Sequence, residues 1–272
     1  MRRTFAQVLR EGKIDPIIEY TKLYALFYNK PRRNGKSVAE IISHNFLDYY
    51  FRGTCLTLEE FDRTHGICFE EQPKAFDVDY LVNFAEYIHN FVSYLESECF
   101  YGTINKFDLL DHIERVMGSI GYIATREDGF VIFVPKDNGA IAVAESELIP
   151  EKMSYRVISY NHHSMKGDLE EKRQTLLALA DLLEPKRLEL NQIDNKFTSD
   201  LFYAFNNFNI RHNNVDPTGP KYKKPVAELS QEELEHWYDE VYQMCLLAFM
   251  RLDHADRKAE FDVLKGKIEN KE

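Results

Sequence analysis

The feature that most constrains the fold is the spacing of apolar residues along the chain. Over most of the 272 residues they recur every three or four positions, as they do on one face of an α-helix. This spacing predicts a buried aromatic helix at residues 17–27, directly after Pro16, and a long helix from about Asp77 to Glu98. A shorter one is predicted near Lys106 to Met117. Residues 1–119 are therefore expected to form a helical N-terminal region.

Some helix starts are also visible as capping motifs. Ser37 is followed three residues later by Glu40, which predicts a capping box and a helix that runs to about Tyr50. The second half of the chain carries further helical patterns. These are Asp168 to Leu183, a helix that begins at Pro185, Thr198 to Asn207, a capped helix from Ser230 to about Leu252 and a short helix from about Ala255.

The period changes once, between about Tyr122 and Glu145. Residues 129–135 and 140–144 are short β-prone runs, and Asn138-Gly139 between them favours a tight hairpin turn. The predicted fold class is therefore mainly α, with a small antiparallel β-hairpin element of two or three strands. We expect residues 120–272 to combine this hairpin with a C-terminal helical bundle.

The composition of the chain limits the kinds of molecule that the protein can bind. The formal net charge of −11 opposes attraction to nucleic acid over the whole surface, although a local basic patch could still bind phosphate. Aromatic residues make up 13% of the chain and are expected to form most of the core. No apolar run reaches the length of a membrane span and the first residues do not resemble a signal peptide, so we expect a cytoplasmic protein without a membrane partner.

Two groups of residues have side chains that can bind metal. Cys55, His65 and Cys68 form a loose group, but structural zinc sites usually contain two closely spaced ligand pairs. We therefore expect ordinary reduced thiols at these positions.

The second group consists of two Glu-x-x-His pairs, Glu86/His89 and Glu233/His236. Such pairs bind two iron ions in some helical bundles when both project inward. Helical periodicity places Glu86 and His236 opposite the apolar faces of their helices, so the sequence predicts no metal site. Motifs for nucleotide phosphates, dinucleotides and nucleophilic catalysis are also absent from the sequence, and we expect no cofactor.

The main candidate site is the Asn-rich segment from Asn206 to Lys224. It holds five Asn in nine residues, followed by a loop rich in Pro, Gly and Lys. Asn and Gly are typical of helix ends and loops, which is one explanation. The alternative is chemical, because Arg211 and His212 offer a fixed cation and a titratable imidazole, the groups that bind a phosphodiester and move a proton. In that case Asn213, Lys221, Lys223 and Lys224 would bind nucleic acid.

A second histidine pair, His162-His163, follows the strand-like segment Val157–Tyr160. Arg156 precedes His162 with a separation that fits the pattern Arg-x(4–6)-His, in which four to six residues lie between an Arg and a His. Alternation along an extended segment does not bring these two side chains together, so coincidence is the preferred interpretation.

Residues 150–272, with an Arg/His/Asn cluster between long helices, resemble the HEPN superfamily and the C-terminal helical domains of bacterial abortive-infection proteins. The resemblance implies an all-α bundle, often dimeric, and for many members a metal-independent ribonuclease of toxin or phage-defence systems. Only Arg211 and His212 can be carried over from the family's Arg-x(4–6)-His motif, with Asn213 as a polar neighbour. Here the two residues are adjacent, which departs from that motif.

Two functions remain open. The first is a non-catalytic helical interaction protein that binds another protein or itself as a homodimer, with the cluster anchoring a loop. The second is a ribonuclease acting on RNA through Arg211 and His212. Burial of Arg211 against backbone partners would favour the first, and an open groove with both side chains facing solvent would favour the second.

Overall fold

The computed structural model describes residues 14–31, 35–100 and 104–269. Its chain divides into two compact units, Met1–Pro135 and Lys136–Glu272. The fold is mainly α-helical with one two-stranded antiparallel sheet among the described residues, as the periodicity predicts. None of the described helices combines the length and the apolar character that a membrane span requires.

The first unit contains five described α-helices and the hairpin. They are α1 (Pro16–Tyr28), α2 (Val38–His44), α3 (Leu58–Thr64), α4 (Val78–Tyr94), α5 (Lys106–Ser119), β1 (Tyr122–Glu127) and β2 (Phe130–Pro135). Short 3-10 turns lie at Phe46–Asp48, Tyr50–Arg52 and Ser97–Phe100. Asp15 and Asp77 cap α1 and α4 through their carboxylates, and Ser37 and Glu40 form the predicted capping box.

Aromatic side chains fill the core of this unit around α4. Phe84 and Phe91 on α4 are almost completely buried and contact rings of α1 and of the turns that follow α2. Many of these ring pairs are tilted or edge-to-face, the geometries that aromatic quadrupoles favour. The Tyr49 hydroxyl donates to the carbonyl oxygen of Phe91 at 3.0 Å, so its polar end is satisfied inside the core. The predicted aromatic core is confirmed here.

The second unit contains seven described α-helices. They are α6 (Asn138–Ala144), α7 (Glu151–Ser159), α8 (Leu169–Leu183), α9 (Arg187–Ile193), α10 (Asn195–Asn207), α11 (Lys224–Ala227) and α12 (Gln231–Glu269). 3-10 turns lie at His163–Met165 and Glu184–Lys186. The core of the unit lies between α8, α10 and the first half of α12, and Tyr160 stacks on Tyr242 with ring centroids 3.9 Å apart.

The predicted hairpin turn is wrong, although the sheet itself is present. The turn lies at Asp128-Gly129, where both residues have positive φ, as a type I′ turn requires. Residues 138–144 form α6 instead of a strand, because the Asp137 carboxylate accepts hydrogen bonds from the N–H groups of Gly139 and Ala140 and starts a helix. The hairpin consequently belongs to the first unit, whereas the sequence grouped it with the C-terminal bundle.

Other elements also differ from the predictions. The helix expected to reach Tyr50 ends at His44, where the Asn45 amide bonds the Ile41 carbonyl and the chain continues as 3-10 turns. The strand-like segment 157–160 is helical through Ser159. The two predicted C-terminal helices are one helix, α12, which continues without a break through Ala255.

Candidate functional site

The Asn-rich segment begins where α10 ends. Asn209 adopts a left-handed conformation with φ of 59°, which stops the helix, and Asn and Gly tolerate this conformation best. Ile210 is fully buried and joins the core of the second unit. The Asn209 carbonyl accepts hydrogen bonds from Arg173 Nε at 2.8 Å and from the Tyr238 hydroxyl at 3.4 Å. The turn is therefore fixed to both α8 and α12.

Asn214 is fully buried and holds the loop together. Its side-chain oxygen accepts the N–H of Asn209 at 2.8 Å, and its amide group donates to the carbonyls of Asn206 at 3.3 Å and Lys221 at 2.8 Å. Its own carbonyl accepts the N–H of Lys223 at 2.7 Å. The Asn214 side chain thus provides hydrogen-bond partners for loop backbone groups that are not paired within a helix.

Arg211 is turned into the protein. Its guanidinium donates to the Ala180 carbonyl at 2.8 Å and pairs with the Glu184 carboxylate, both at the C-terminal end of α8. The same group lies over the rings of Phe202 and Phe205, and only 16% of the side chain is exposed. A cation at a helix C-terminus also stabilises the unpaired carbonyls there. Arg211 therefore ties the loop to α8.

His212 is half-buried, and within the described part of the chain its imidazole makes no hydrogen bond or ion pair. A general acid or base is usually oriented by a second group. The adjacent Arg211 is already committed to Glu184, which neutralises much of its charge. Arg211 and His212 are adjacent in the sequence, but among the described residues they have no shared partner.

The predicted nucleic-acid ligands lie on the outside of the loop. Asn213, Lys221, Lys223 and Lys224 are all exposed. The Asn213 side chain accepts the N–H of Asp216 at 3.1 Å, and Lys224 lies 3.6 Å from Glu228. Lys221 and Lys223 are held near each other because both of their backbones bond Asn214.

The Glu86/His89 pair is buried, which contradicts its predicted position on a polar face. The Glu86 carboxylate accepts the N–H of Phe133 at 2.6 Å, and His89 Nε2 lies 3.3 Å from Glu114. Burial lowers the pKa of His89, although the nearby Glu114 acts in the opposite direction. The prediction fails because β2 offers a polar partner to Glu86 on this side of α4, and Glu114 of α5 offers one to His89. In the other pair both Glu233 and His236 lie at the surface, as predicted.

A charge cluster that the sequence analysis missed lies beside the core of the second unit. Lys172 is only 5% exposed, and its ammonium group is 2.7 Å from both Glu235 and Asp239 and 5.3 Å from the Tyr160 ring. Burial would raise the pKa of Glu235, but the bonds from Lys172 and from the Gly167 N–H outweigh it and lower that pKa. The sequence does contain an indication that Lys172 is buried. Lys172 lies three residues after Leu169 and four before Leu176, on the apolar face of α8.

The remaining candidate residues make local contacts. Arg156 pairs with Glu171 at 3.7 Å, and His162 caps a 3-10 turn by accepting the Ser164 N–H at 3.2 Å. Cys55 is buried and Cys68 is exposed, and both are free thiols.

Comparison with protein-family models, with curated proteins and with solved structures gave no match to this chain.

Proposed function

We propose that the protein is a non-catalytic helical interaction protein, of the kind found in bacterial phage-defence or toxin systems, and that the Asn-rich segment is a structural anchor. The observation that carries this proposal is the environment of Arg211. Its guanidinium is bonded to the Ala180 carbonyl and the Glu184 carboxylate and packed on two Phe rings. A guanidinium used in this way has few donors left for a phosphodiester.

The charge balance supports the same proposal. Glu184 cancels the local charge of Arg211, and the net charge of −11 opposes the approach of a polyanion. Large apolar side chains on the second half of α12, in contrast, are exposed, which is typical of a protein-binding surface.

The alternative is a metal-independent ribonuclease of the HEPN type, with Arg211 binding phosphate and His212 moving the proton. The exposure of Lys221 and Lys223 on the same loop favours it, because exposed ammonium groups attract an RNA strand. Under this alternative, Arg211 has to exchange Glu184 for the phosphate when RNA binds.

The test measures RNA cleavage and thermal unfolding for the same set of variants. If the cluster is structural, Arg211→Ala should lower the free energy of unfolding by about 1–3 kcal/mol, because it removes the hydrogen bond to the Ala180 carbonyl, the ion pair with Glu184 and the packing on two rings. Glu184→Gln should cost less than about 1 kcal/mol, because Glu184 is half-exposed and solvent screens such a pair. His212→Ala should change neither stability nor any nuclease activity.

The opposite result would establish the ribonuclease. Cleavage of RNA by the wild type that is lost in His212→Ala, with the melting temperature kept within a few degrees, would overturn the interaction-protein proposal. Lys221→Ala with Lys223→Ala is the matched probe of RNA binding, since both side chains are exposed.

A further inference from the structure

The second half of α12 presents an apolar stripe that the core of its own unit does not use. The residues of α12 that face this core end at Leu252, which is fully buried. Beyond it the helix continues for 17 residues, to Glu269, and Phe261, Leu264 and Ile268 are 61%, 56% and 68% exposed. Three large apolar side chains exposed on one helix stripe are costly in water unless a partner covers them.

The stripe follows a heptad repeat. Its positions alternate in steps of three and four residues, as the a and d positions of a coiled coil do. They are Leu247, Met250, His254, Arg257, Phe261, Leu264 and Ile268. The stripe lies more than a third of a turn away from the side of α12 that forms the core, taking about 100° per residue. It is therefore a second, separate apolar face.

The charges beside the stripe identify the partner. In this register the g positions carry Asp253, Glu260 and Lys267, and the e positions carry Arg251, Lys258 and Lys265. In a parallel pair of helices each g residue faces the e residue five positions later on the other helix. Asp253 would then face Lys258, and Glu260 would face Lys265, on both sides of the interface. Both pairs are attractive when the partner is an identical helix.

An antiparallel pair of the same helices is disfavoured. There e faces e and g faces g, so Arg251, Lys258 and Lys265 would meet only positive charges. Like charges at these positions oppose pairing and select the parallel arrangement.

We propose that the protein forms a parallel homodimer through a coiled coil of α12, with residues 254–268 at its centre. This deepens the proposed interaction function by naming the partner as a second copy of the chain. Leu247, Met250 and the neighbouring Ile193 of α9 widen the apolar surface at the N-terminal end of the stripe, where they line a groove of about 650 Å³. His254 and Arg257 are polar core positions, which weaken a coiled coil but fix its register.

The experiment is sedimentation equilibrium of the full-length chain between about 1 μM and about 1 mM, a range that covers weak to moderate dimers. The wild type should show a reversible monomer–dimer equilibrium. Phe261→Asp with Leu264→Asp should raise the dissociation constant at least about a hundredfold, since charges then replace two apolar side chains that the dimer buries. Val263→Asp is the matched control, because Val263 is 60% exposed on the same helix but lies off the stripe. It should change the dissociation constant less than about threefold.

A charge exchange tests the pairing itself. Lys258→Glu with Lys265→Glu makes positions 253, 258, 260 and 265 all negative, and Asp253→Lys with Glu260→Lys makes the same four positions all positive. Each variant should be monomeric alone, and an equimolar mixture should form a 1:1 heterodimer. Ile268→Cys, in a chain whose exposed Cys68 is changed to Ser, should form a disulfide between two copies, because equivalent a positions meet only in a parallel pair.

The proposal would be overturned by a wild type that stays monomeric at the highest concentration. It would equally be overturned by Val263→Asp weakening the dimer as much as the stripe variant, or by failure of the Ile268→Cys variant to form its disulfide. None of these results bears on RNA cleavage by Arg211 and His212, so they leave the choice between interaction protein and ribonuclease to the separate assay.

Discussion

The loop after α10 shows how much one side chain can decide. The sequence contains five Asn between Asn206 and Asn214, and their density predicts a helix end and a loop. This density does not show which of the five Asn side chains is buried. Asn206 bonds back to its own helix and Asn213 lies in solvent, whereas Asn214 is fully buried and bonds four backbone groups through its side chain and main chain.

Replacing this residue should therefore destabilise the second unit. Asn214→Ala leaves the Lys221 carbonyl and the Asn209 N–H without partners, and we expect the free energy of unfolding to fall by about 2–3 kcal/mol. Asn213→Ala is the control: it removes one bond at an exposed position and should cost less than about 1 kcal/mol. Urea unfolding followed by circular dichroism measures both. Equal costs for the two variants would show that burial of Asn214 is not what holds the loop.

Among the elements, the hairpin depends on a helix for the hydrogen bonds along one of its edges. The outer edge of β2 faces α4, where the Asn90 amide accepts the N–H of Val131 at 2.7 Å and donates to its carbonyl at 2.8 Å. Glu86 continues this edge by accepting the N–H of Phe133. An amide side chain here takes the place of a third strand. An isolated two-stranded hairpin is marginal in water, so α4 is what makes the small sheet stable.

We expect Asn90→Ala to lower the free energy of unfolding by about 2–3 kcal/mol, because both polar groups of Val131 lose their partner in a buried setting. Thermal melting of the purified variant measures the effect. Asn83→Ala on the exposed side of the same helix is the control and should be neutral or slightly stabilising, since Ala is the better helix former. A loss of stability in Asn83→Ala as large as in Asn90→Ala would contradict this account of the hairpin edge.

At the scale of the whole molecule, the chain builds two hydrophobic cores from different residues. One includes the aromatic side chains around α4, and the other includes Leu176, Leu179 and Leu183 of α8 with the first half of α12. Each unit spans more than 130 residues, a length sufficient for a core of its own.

A fragment of residues 136–272 should consequently fold alone. We expect a helical circular dichroism spectrum and a single cooperative melting transition, because the residues of its core all lie within the fragment. The same fragment with Leu179→Asp is the control and should melt without cooperativity, since Leu179 is fully buried. A fragment that shows helical signal but no cooperative transition would mean that this core is not self-sufficient.

Local interactions explain what the sequence by itself determined. The mainly helical class, the presence of one small sheet between about Tyr122 and Glu145, the aromatic core and the starts of α2 and α4 all follow from apolar spacing and capping side chains. These signals act over a few residues. The break predicted near Ala255 is absent because helix formation continues wherever no residue stops it, and α12 contains no Pro.

Tertiary contacts decided the rest. Asp128-Gly129 and Asn138-Gly139 are both hairpin signals, and the Asp137 cap together with packing of α6 selected the first as the turn. Glu86 and His89 are buried because β2 supplies a partner for Glu86 and α5 supplies one for His89, and neither packing element can be read from the period of a helix. The candidate site shows the same division. The sequence located Arg211 and His212 in a loop. Whether the guanidinium meets solvent or Glu184 depends on the packing of the C-terminal end of α8, where Glu184 lies 27 residues before Arg211 in the chain.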